Sequence, residues 1–551
     1  MGLLARLRSQ SGIGGALTIR VVLSVLLGLF IIYPLLTVFV KSLFTEGTFT
    51  LANYAEFFSD ADAIGVLLNT FYVALPVTLI STLFGFVLAY STARMKIPGS
   101  ALFRRLALFP LMIPPFLAAF GVLLFLGRNG VVTDFLHLGW NIHGWSGIVL
   151  VQSIIFIPYI YLTLEGSVQS LDPTMEEVSR DLGANELYTF KNVTLALLTP
   201  SLLNSALIVF VLSMADFGTP LLIGGRFEVL SVSIYKAMVG TLPREVWAAV
   251  QGAILLIPLL AVYALQAWLT ANKSYITITG SSSSAVYRET TWLIRAPIMI
   301  ILGFISVVIV ALIAVVIVMS FVKTPLVNYT FTLENYPELF TSYVNASTLI
   351  QNSLQVSAIA AGIGVLVGLA IAYVSVRFRS KWSSALEYTA LAPFAIPGTV
   401  FGVGYILAFS SGALAMTGTW YILAINVAFH NLPVAVIAGK NQLQQIDREI
   451  EEASRDLGAS WLQTLRRILL PIWKPALYAG ALYVFVTGMR TISAVIFLVS
   501  PQFNLLATRL LDLLERFHLN LGTSMATVLI ALVLIVQAIL YRLSGRKEFG
   551  A

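Results

Sequence analysis

Glu451-Glu-Ala-Ser-Arg-Asp-Leu-Gly-Ala459 is a polar island in an otherwise apolar chain, and Glu176-Glu-Val-Ser-Arg-Asp-Leu-Gly-Ala184 is nearly the same nine residues met 275 positions earlier. Carried outward over 176–202 and 451–477, the comparison gives 13 identities in 27 positions. A solvated helix of alternating charge is the ordinary reading of such a run. Its recurrence inside one chain says more, because free loops drift and these two have not. Further out, Leu51-Ala-Asn-Tyr-Ala-Glu-Phe-Phe58 matches Leu333-Glu-Asn-Tyr-Pro-Glu-Leu-Phe340, Ala89-Tyr90 matches Ala372-Tyr373, and Pro110 and Pro114 match Pro393 and Pro397. The offsets run from 275 to 283, so one unit is written twice.

Between the matching segments the chain is hydrocarbon. Of 551 residues, 58% are hydrophobic and 11% charged, against about 25% charged in soluble proteins. That excludes a soluble multidomain enzyme and a disordered or fibrous chain. A membrane-spanning helix needs about 20 mostly apolar residues. Twelve such runs lie near 20–41, 64–93, 103–126, 146–165, 196–224, 246–270, 293–322, 347–376, 385–410, 418–439, 472–499 and 521–542. They lack the alternation of a β-barrel. The first follows Arg6, Arg8 and Arg20 and reads as a retained helix rather than a cleaved signal. The fold class is an all-α polytopic membrane protein.

With both termini on the cytoplasmic side, 24 of the 33 Lys and Arg fall inside, eight outside, and one, Arg490, within a span. The positive-inside rule therefore sets the orientation. Each half has six runs, so the halves are parallel repeats about an axis along the membrane normal, with a substrate path between them. The expected units are residues 1–270, a polar cytoplasmic linker 271–292 containing Gly280-Ser-Ser-Ser-Ser284, and residues 293–551. Cysteine is absent, which removes disulfides and thiolate chemistry. Four histidines and no cysteine make a permanent metal site in this chain an unfavoured reading, and His137 and His143, near Trp140 and Trp145, read as part of an interfacial belt.

The polar loops have local signals of their own. Asp172-Pro173 reads as N-cap and first helical residue, the helix runs to Leu182, and Gly183 stops it. Asp447 and Gly458 play the same parts in the second loop. Each loop is then a pair of short helices presenting a mixed-charge surface suited to a protein partner.

In this arrangement the loops resemble the EAA loop of ABC importer permeases: Glu-Ala-Ala, three residues, Gly, nine residues, Ile, one residue, Leu-Pro. Glu452-Ala453-Ser454, Gly458, Ile468 and Leu470-Pro471 follow that pattern with one Ala-to-Ser change. Glu177-Val178-Ser179, Gly183, Val193 and Leu195-Ala196 follow it more loosely. The resemblance covers the chain once per half. It implies that Glu176, Glu177, Ser179, Arg180, Asp181 and Gly183, with Glu451, Glu452, Ser454, Arg455, Asp456 and Gly458, couple the chain to ATP-binding subunits. No Gly-x-x-x-x-Gly-Lys-[Ser/Thr] phosphate loop occurs in the chain. ATP and its Mg²⁺ therefore belong on two separate subunits, one per loop, and this chain is a transport subunit, neither an enzyme nor a holder of cofactors. The resemblance also implies a periplasmic or lipid-anchored substrate-binding protein, a bacterial inner membrane, and no nucleic-acid partner.

Charged groups inside the runs mark a path or a pair. Asp216, in Met214-Ala-Asp-Phe-Gly-Thr-Pro220, lies where Gly and Pro suggest a broken helix; Arg490, in Met489-Arg-Thr-Ile-Ser493, lies in the matching part of the second half. Two readings stay open. Met214, Asp216, Met489, Arg490, Thr491 and Ser493 border the translocation path, or Asp216 and Arg490 form an ion pair that joins the halves. His430-Asn431 before Pro433 reads as a satisfied inter-helix hydrogen bond, and the prolines at 110, 114, 115, 393 and 397 as kinks.

The fused two-times-six layout, the Ala215–Pro220 segment and Ser493-Ala-Val-Ile-Phe-Leu-Val-Ser500 resemble the ferric-iron permease group. That resemblance implies ferric iron as cargo. Its relatives handle phosphonates, hexose phosphates, thiamine and polyamines, and Arg490 would suit an organic anion. A twelve-helix secondary transporter shares the parallel-repeat layout but has no need of duplicated docking loops. A membrane-embedded enzyme would need a ligand cluster or a nucleophile with its base, and the sequence offers neither.

Overall fold

The computed structural model describes residues 17–45, 47–137, 139–271 and 291–544; most of the linker expected at 271–292, and the tail residues Arg546 and Lys547, lie outside them. The principal helices of the first half are α1 Leu17–Leu43, α2 Ala61–Arg94, α3 Ser100–Leu108, α4 Pro115–Leu126, α5 Trp145–Gln169, α6 Pro173–Asp181, α7 Glu186–Ala215, α8 Gly218–Ile223, α9 Leu230–Val239 and α10 Glu245–Ala271. Those of the second are α11 Trp292–Met319, α12 Ala346–Arg377, α13 Lys381–Leu391, α14 Gly398–Phe409, α15 Trp420–His430, α16 Leu432–Gln444, α17 Arg448–Asp456, α18 Trp461–Arg490, α19 Leu506–Glu515 and α20 Leu519–Ser544.

Among the described residues ten helices are long and apolar enough to cross a membrane, and twelve spans result when two bent pairs count as one each. The prolines do more than kink. In the third run, Pro110, Pro114 and Pro115 open the helix into a 3₁₀ turn, Phe109–Met112, followed by extended Ile113. The matching Pro393 and Pro397 stand at a 113° bend between Lys381–Ala395 and α14. A proline lacks the N–H that would continue the ladder, which accounts for both breaks. The tenth run bends by 47° between α15 and α16. The fifth and eleventh runs are shorter than hydropathy suggests: helix stops at Ala215 and at Arg490.

The repeated Asn-Tyr pairs fasten a hairpin to the end of the first helix of each half. Antiparallel strands β1 (Phe44–Thr45) and β2 (Thr48–Phe49) follow α1, and β3 (Val322–Thr324) and β4 (Asn328–Phe331) follow α11. Asn53 Nδ2 donates to the Ser42 carbonyl at 3.1 Å, and Tyr54 OH lies 2.8 Å from Ser42 Oγ. In the second half Asn335 Nδ2 donates to Val322 O at 2.8 Å, and Tyr336 OH lies 2.7 Å from Ser320 Oγ.

The two sequence repeats are not two separate packing units. Helix α1 lies against α14 of the second half, where Tyr405 OH donates to Phe30 O at 2.8 Å, and against the corner between α12 and α13, where Arg20 Nη2 donates to Phe378 O at 2.8 Å and Trp382 Nε1 donates to Ser24 Oγ at 2.9 Å. Helix α11 lies against α4 of the first half. Both crossings use a glycine. A Cβ on Gly404 would stand 2.7 Å from Pro34 O, and one on Gly121 would run into the Leu312 carbonyl. Each main hydrophobic core accordingly draws residues from both halves.

Candidate functional site

Helices α2 and α12 have 34 and 32 residues. At 1.5 Å per residue they reach about 50 Å, well beyond a hydrocarbon core of about 30 Å. Their C-terminal ends carry Arg94 and Arg377 out to the polar loops. There Arg94 Nη2 meets Glu176 Oε2 at 3.1 Å, with both side chains almost wholly buried, and Arg94 Nη1 donates to Leu171 O at 3.2 Å. Thr194 Oγ1 donates to the other carboxylate oxygen at 2.5 Å. In the second loop Arg377 Nε meets Glu451 Oε1 at 2.5 Å and its Nη2 donates to Ile446 O at 3.0 Å. The charges are taken from water in both places, but each is matched and hydrogen-bonded, the condition under which a buried pair holds.

Helix geometry sorts the remaining loop residues. Ser179 and Ser454 lie three positions after the buried glutamates, on the same face. Each hydroxyl bonds a threonine of the following helix: Ser179 Oγ to Thr189 Oγ1 at 2.9 Å, and Ser454 Oγ to Thr464 Oγ1 at 2.9 Å. Asp172 caps α6 by accepting from the Thr174 N–H at 2.9 Å, and the Thr174 hydroxyl together with that N–H holds its carboxyl below the usual carboxylate range. Asp447 accepts from the Glu449 N–H at 3.0 Å in the second loop. Gly183 and Gly458 have φ of +88° and +85°, the left-handed stop expected of them. The Ala184 N–H reaches back to Ser179 O, and the Ala459 N–H to Ser454 O, both at 3.1 Å. Beyond the turn each loop passes through a five-residue π-helical stretch, Phe190–Thr194 and Leu465–Leu469, directly into the next span.

Glu177, Glu452, Asp181 and Asp456 face outward, and Glu452 pairs with Arg448 at 3.0 Å. Arg180 is exposed, 3.7 Å from Glu186; the Arg455 side chain lies outside the described residues. The sequence reading missed the apolar knobs between these charges. Leu182 and Leu457 are 84% and 90% exposed, with Met175 and Val178 beside the first and Ile450 beside the second. The signal was present as an i, i+3, i+7 stripe, 175/178/182 and 450/453/457, hidden within a charged run. Each turn bares a leucine at its apex on a base pinned by a buried ion pair.

At the helix breaks the proposed Asp216–Arg490 pair is absent, and each group has other partners. Asp216 ends α7 and accepts from Gln152 Nε2 at 2.9 Å; Gln152 Oε1 in turn accepts from Ser213 Oγ at 2.6 Å, and Ser231 Oγ bonds the Asp216 carbonyl at 2.7 Å. Arg490 ends α18 and crosses to the first half. Its Nη1 donates to the carbonyl of Leu111 and, at 3.3 Å, to that of Ile113. Backbone arithmetic accounts for the choice. In a continuous helix residue 115 would donate to Leu111 O, but residue 115 is proline, so that carbonyl is orphaned. The side-chain cation of the opposite half satisfies it. Met214 and Met489 are buried beside these breaks, Thr491 is half-buried, and Ser493 packs on Gly398.

His430 also departs from expectation. Neither ring nitrogen has a hydrogen-bond partner among the described residues, and the ring instead lies 5.2 Å from that of Phe401. Among the described residues no group of three His, Asp or Glu is placed to hold a metal ion.

Two parallel repeats, each with a bent-helix bundle and one pinned polar loop, define a duplicated membrane permease. The chain belongs to the family described as binding-protein-dependent transport system inner membrane component, whose pattern matches twice, at residues 81–275 and 364–548. It is 36% identical over 508 residues, 91% of this chain and 80% of the relative, to a protein of Haemophilus influenzae named as a ferric transport system permease, FbpB 1. It is 33% identical over 533 residues, 95% of this chain and 78% of the relative, to the ferric transport system permease protein FbpB of Actinobacillus pleuropneumoniae. The molybdenum transport system permease protein ModB of Escherichia coli is 26% identical over 196 residues, 35% of this chain but 82% of its own length. One repeat here thus corresponds to most of such a relative. The apolar spans and this family make it a multi-pass inner-membrane protein.

Proposed function

We propose that this chain is the transmembrane subunit of an ATP-driven importer for ferric iron. Two ATP-binding subunits, each engaging one loop on the cytoplasmic side, hydrolyse ATP with its Mg²⁺, while this chain holds no cofactor. A periplasmic or lipid-anchored binding protein delivers the cargo to the opposite face, and both termini are cytoplasmic. The observation that carries the coupling half of this reading is the pair of exposed knobs, Leu182 and Leu457, each seated on a buried Glu–Arg anchor. A push on the knob cannot be absorbed by the loop; it passes through Glu176–Arg94 or Glu451–Arg377 into the longest helices of the chain. Subunit closure then tilts the two halves between outward- and inward-open states. Asp216, Met214, Met489, Arg490, Thr491 and Ser493 sit at the breaks where such a movement changes the path.

Ferric iron is supported by similarity along nearly the whole chain to two relatives named as ferric permeases. In this structure the Arg490 guanidinium already engages backbone carbonyls, which weakens the case for an organic phosphate or phosphonate as the cargo.

The test is uptake into proteoliposomes containing the chain, its ATP-binding subunits and its binding protein. Ferric uptake should require ATP and should fall at least tenfold in the Leu182→Asp/Leu457→Asp double variant. Uptake driven by an ion gradient without ATP would make the chain a secondary transporter, and uptake of a phosphonate in place of iron would replace the cargo.

A further inference from the structure

Where α1 meets the second half lies a basic cleft that the transport reading uses only through Arg377. It has a volume of about 590 Å³ and is lined by Arg20, Val376, Arg377, Phe378, Arg379, Gln444 and Arg448. Four guanidinium groups from the start of α1, the end of α12 and the segment after it, and the start of α17 therefore converge on one space. Like charges do not gather round an open volume without a counter-charge unless other groups hold them there. Two have such groups, Arg377 on Glu451 and Arg448 on Glu452. The other two do not. Arg20 is held by the neutral Phe378 carbonyl and stands 5.8 Å from the centre of that residue's ring, while its Nε is buried without a partner. Arg379 is exposed and makes no ion pair among the described residues. The lining thus keeps about two positive charges over.

Position narrows the ligand. Arg20 lies near the start of one span and Arg377 at the end of another, at the bundle end that carries the docking loops. That is the level of the lipid headgroups, where basic pockets between spans take up anionic phosphates. In the first loop Pro173 stands where the second has Arg448, so the cleft lacks a full counterpart in the first half.

We propose that this cleft binds a phosphate group, supplied by the headgroup of an anionic bilayer lipid or by a soluble phosphate, and that it does so beside the second docking loop only. Arg377 and Arg448 belong both to the cleft wall and to the loop's ion pairs, so occupancy would stiffen that loop. The test uses the full chain with its ATP-binding subunits in detergent, offered equal amounts of phosphatidylglycerol and phosphatidylcholine. Retained lipid is counted by native mass spectrometry, with and without inorganic phosphate. The wild type should retain phosphatidylglycerol selectively, and Arg20→Gln/Arg379→Gln should lose about thirtyfold of that selectivity, from roughly fivefold per cation near a headgroup. Arg20→Lys/Arg379→Lys should keep it within a few-fold, which separates lost charge from lost folding. Displacement by inorganic phosphate, with no preference between the lipids, would identify the soluble source. Equal lipid retention in wild type and the Gln variant, with no phosphate binding in either, would overturn the proposal.

Discussion

The two polar loops and the two helix breaks have diverged to very different extents. In the loops the second copy repeats the first contact for contact, though not with the same arginine nitrogen: a buried glutamate on a helix-end arginine, a serine–threonine bond at 2.9 Å, a left-handed glycine and a bare leucine. At the breaks the copies have parted. The first uses an internal chain, Ser213–Gln152–Asp216, whereas the second sends Arg490 across to the other half. On the proposed function the loops stay alike because each meets a copy of one partner, whereas groups facing each other across the axis of a fused chain are free to diverge.

The largest test of this contrast is the anchors. Glu176→Ala or Glu451→Ala leaves a buried arginine unmatched, a loss of about 3–5 kcal/mol. Each should reduce capture of the ATP-binding subunits and lower the melting temperature of the complex; a large loss from one alone would show that the loops are not equivalent. Next comes Arg490→Ala, which orphans the Leu111 and Ile113 carbonyls at about 1–3 kcal/mol. Transport should fail while ATP-subunit capture stays intact, whereas loss of assembly would make Arg490 a structural strut alone. The smallest effect is expected from Gly183→Ala and Gly458→Ala. A left-handed turn costs an L-residue about 1–2 kcal/mol, and no atom lies within 4 Å of either added Cβ. ATP hydrolysis should persist with reduced transport per ATP, equally in both variants; wild-type coupling in either would separate that loop from the stroke.

The features that repeat along the chain were legible in the sequence. The caps at Asp172 and Asp447 and the stops at Gly183 and Gly458 act within a few residues of themselves, and the Asn-Tyr motif within 16. What acts at long range was not. Which glutamate turns inward depends on Arg94, 82 residues away from Glu176. Of the two open readings, the Asp216–Arg490 pair does not form because the competing acceptors are backbone carbonyls, which every residue has and which only a break such as Pro115 sets free. Hydropathy overran Ala215 and Arg490 because the residues that follow are apolar whether or not they are helical. Leu182 and Leu457 were passed over because charge is conspicuous in a polar loop and a lone leucine is not.

The crossing of α1 onto the second half also sets an order of events during synthesis. Arg20 finds the Phe378 carbonyl 358 residues later in the chain. At about 5–20 residues per second, the first span waits on the order of half a minute in the bilayer before its partner emerges. Until then Gly404 has not been made, whereas the groove at Gly121 closes earlier, once Leu312 of α11 is in place. A product truncated before α14 therefore displays an unfilled helix-packing surface on α1 to the membrane. Fusing the halves puts both crossings in one chain, so that neither has to find its partner by diffusion.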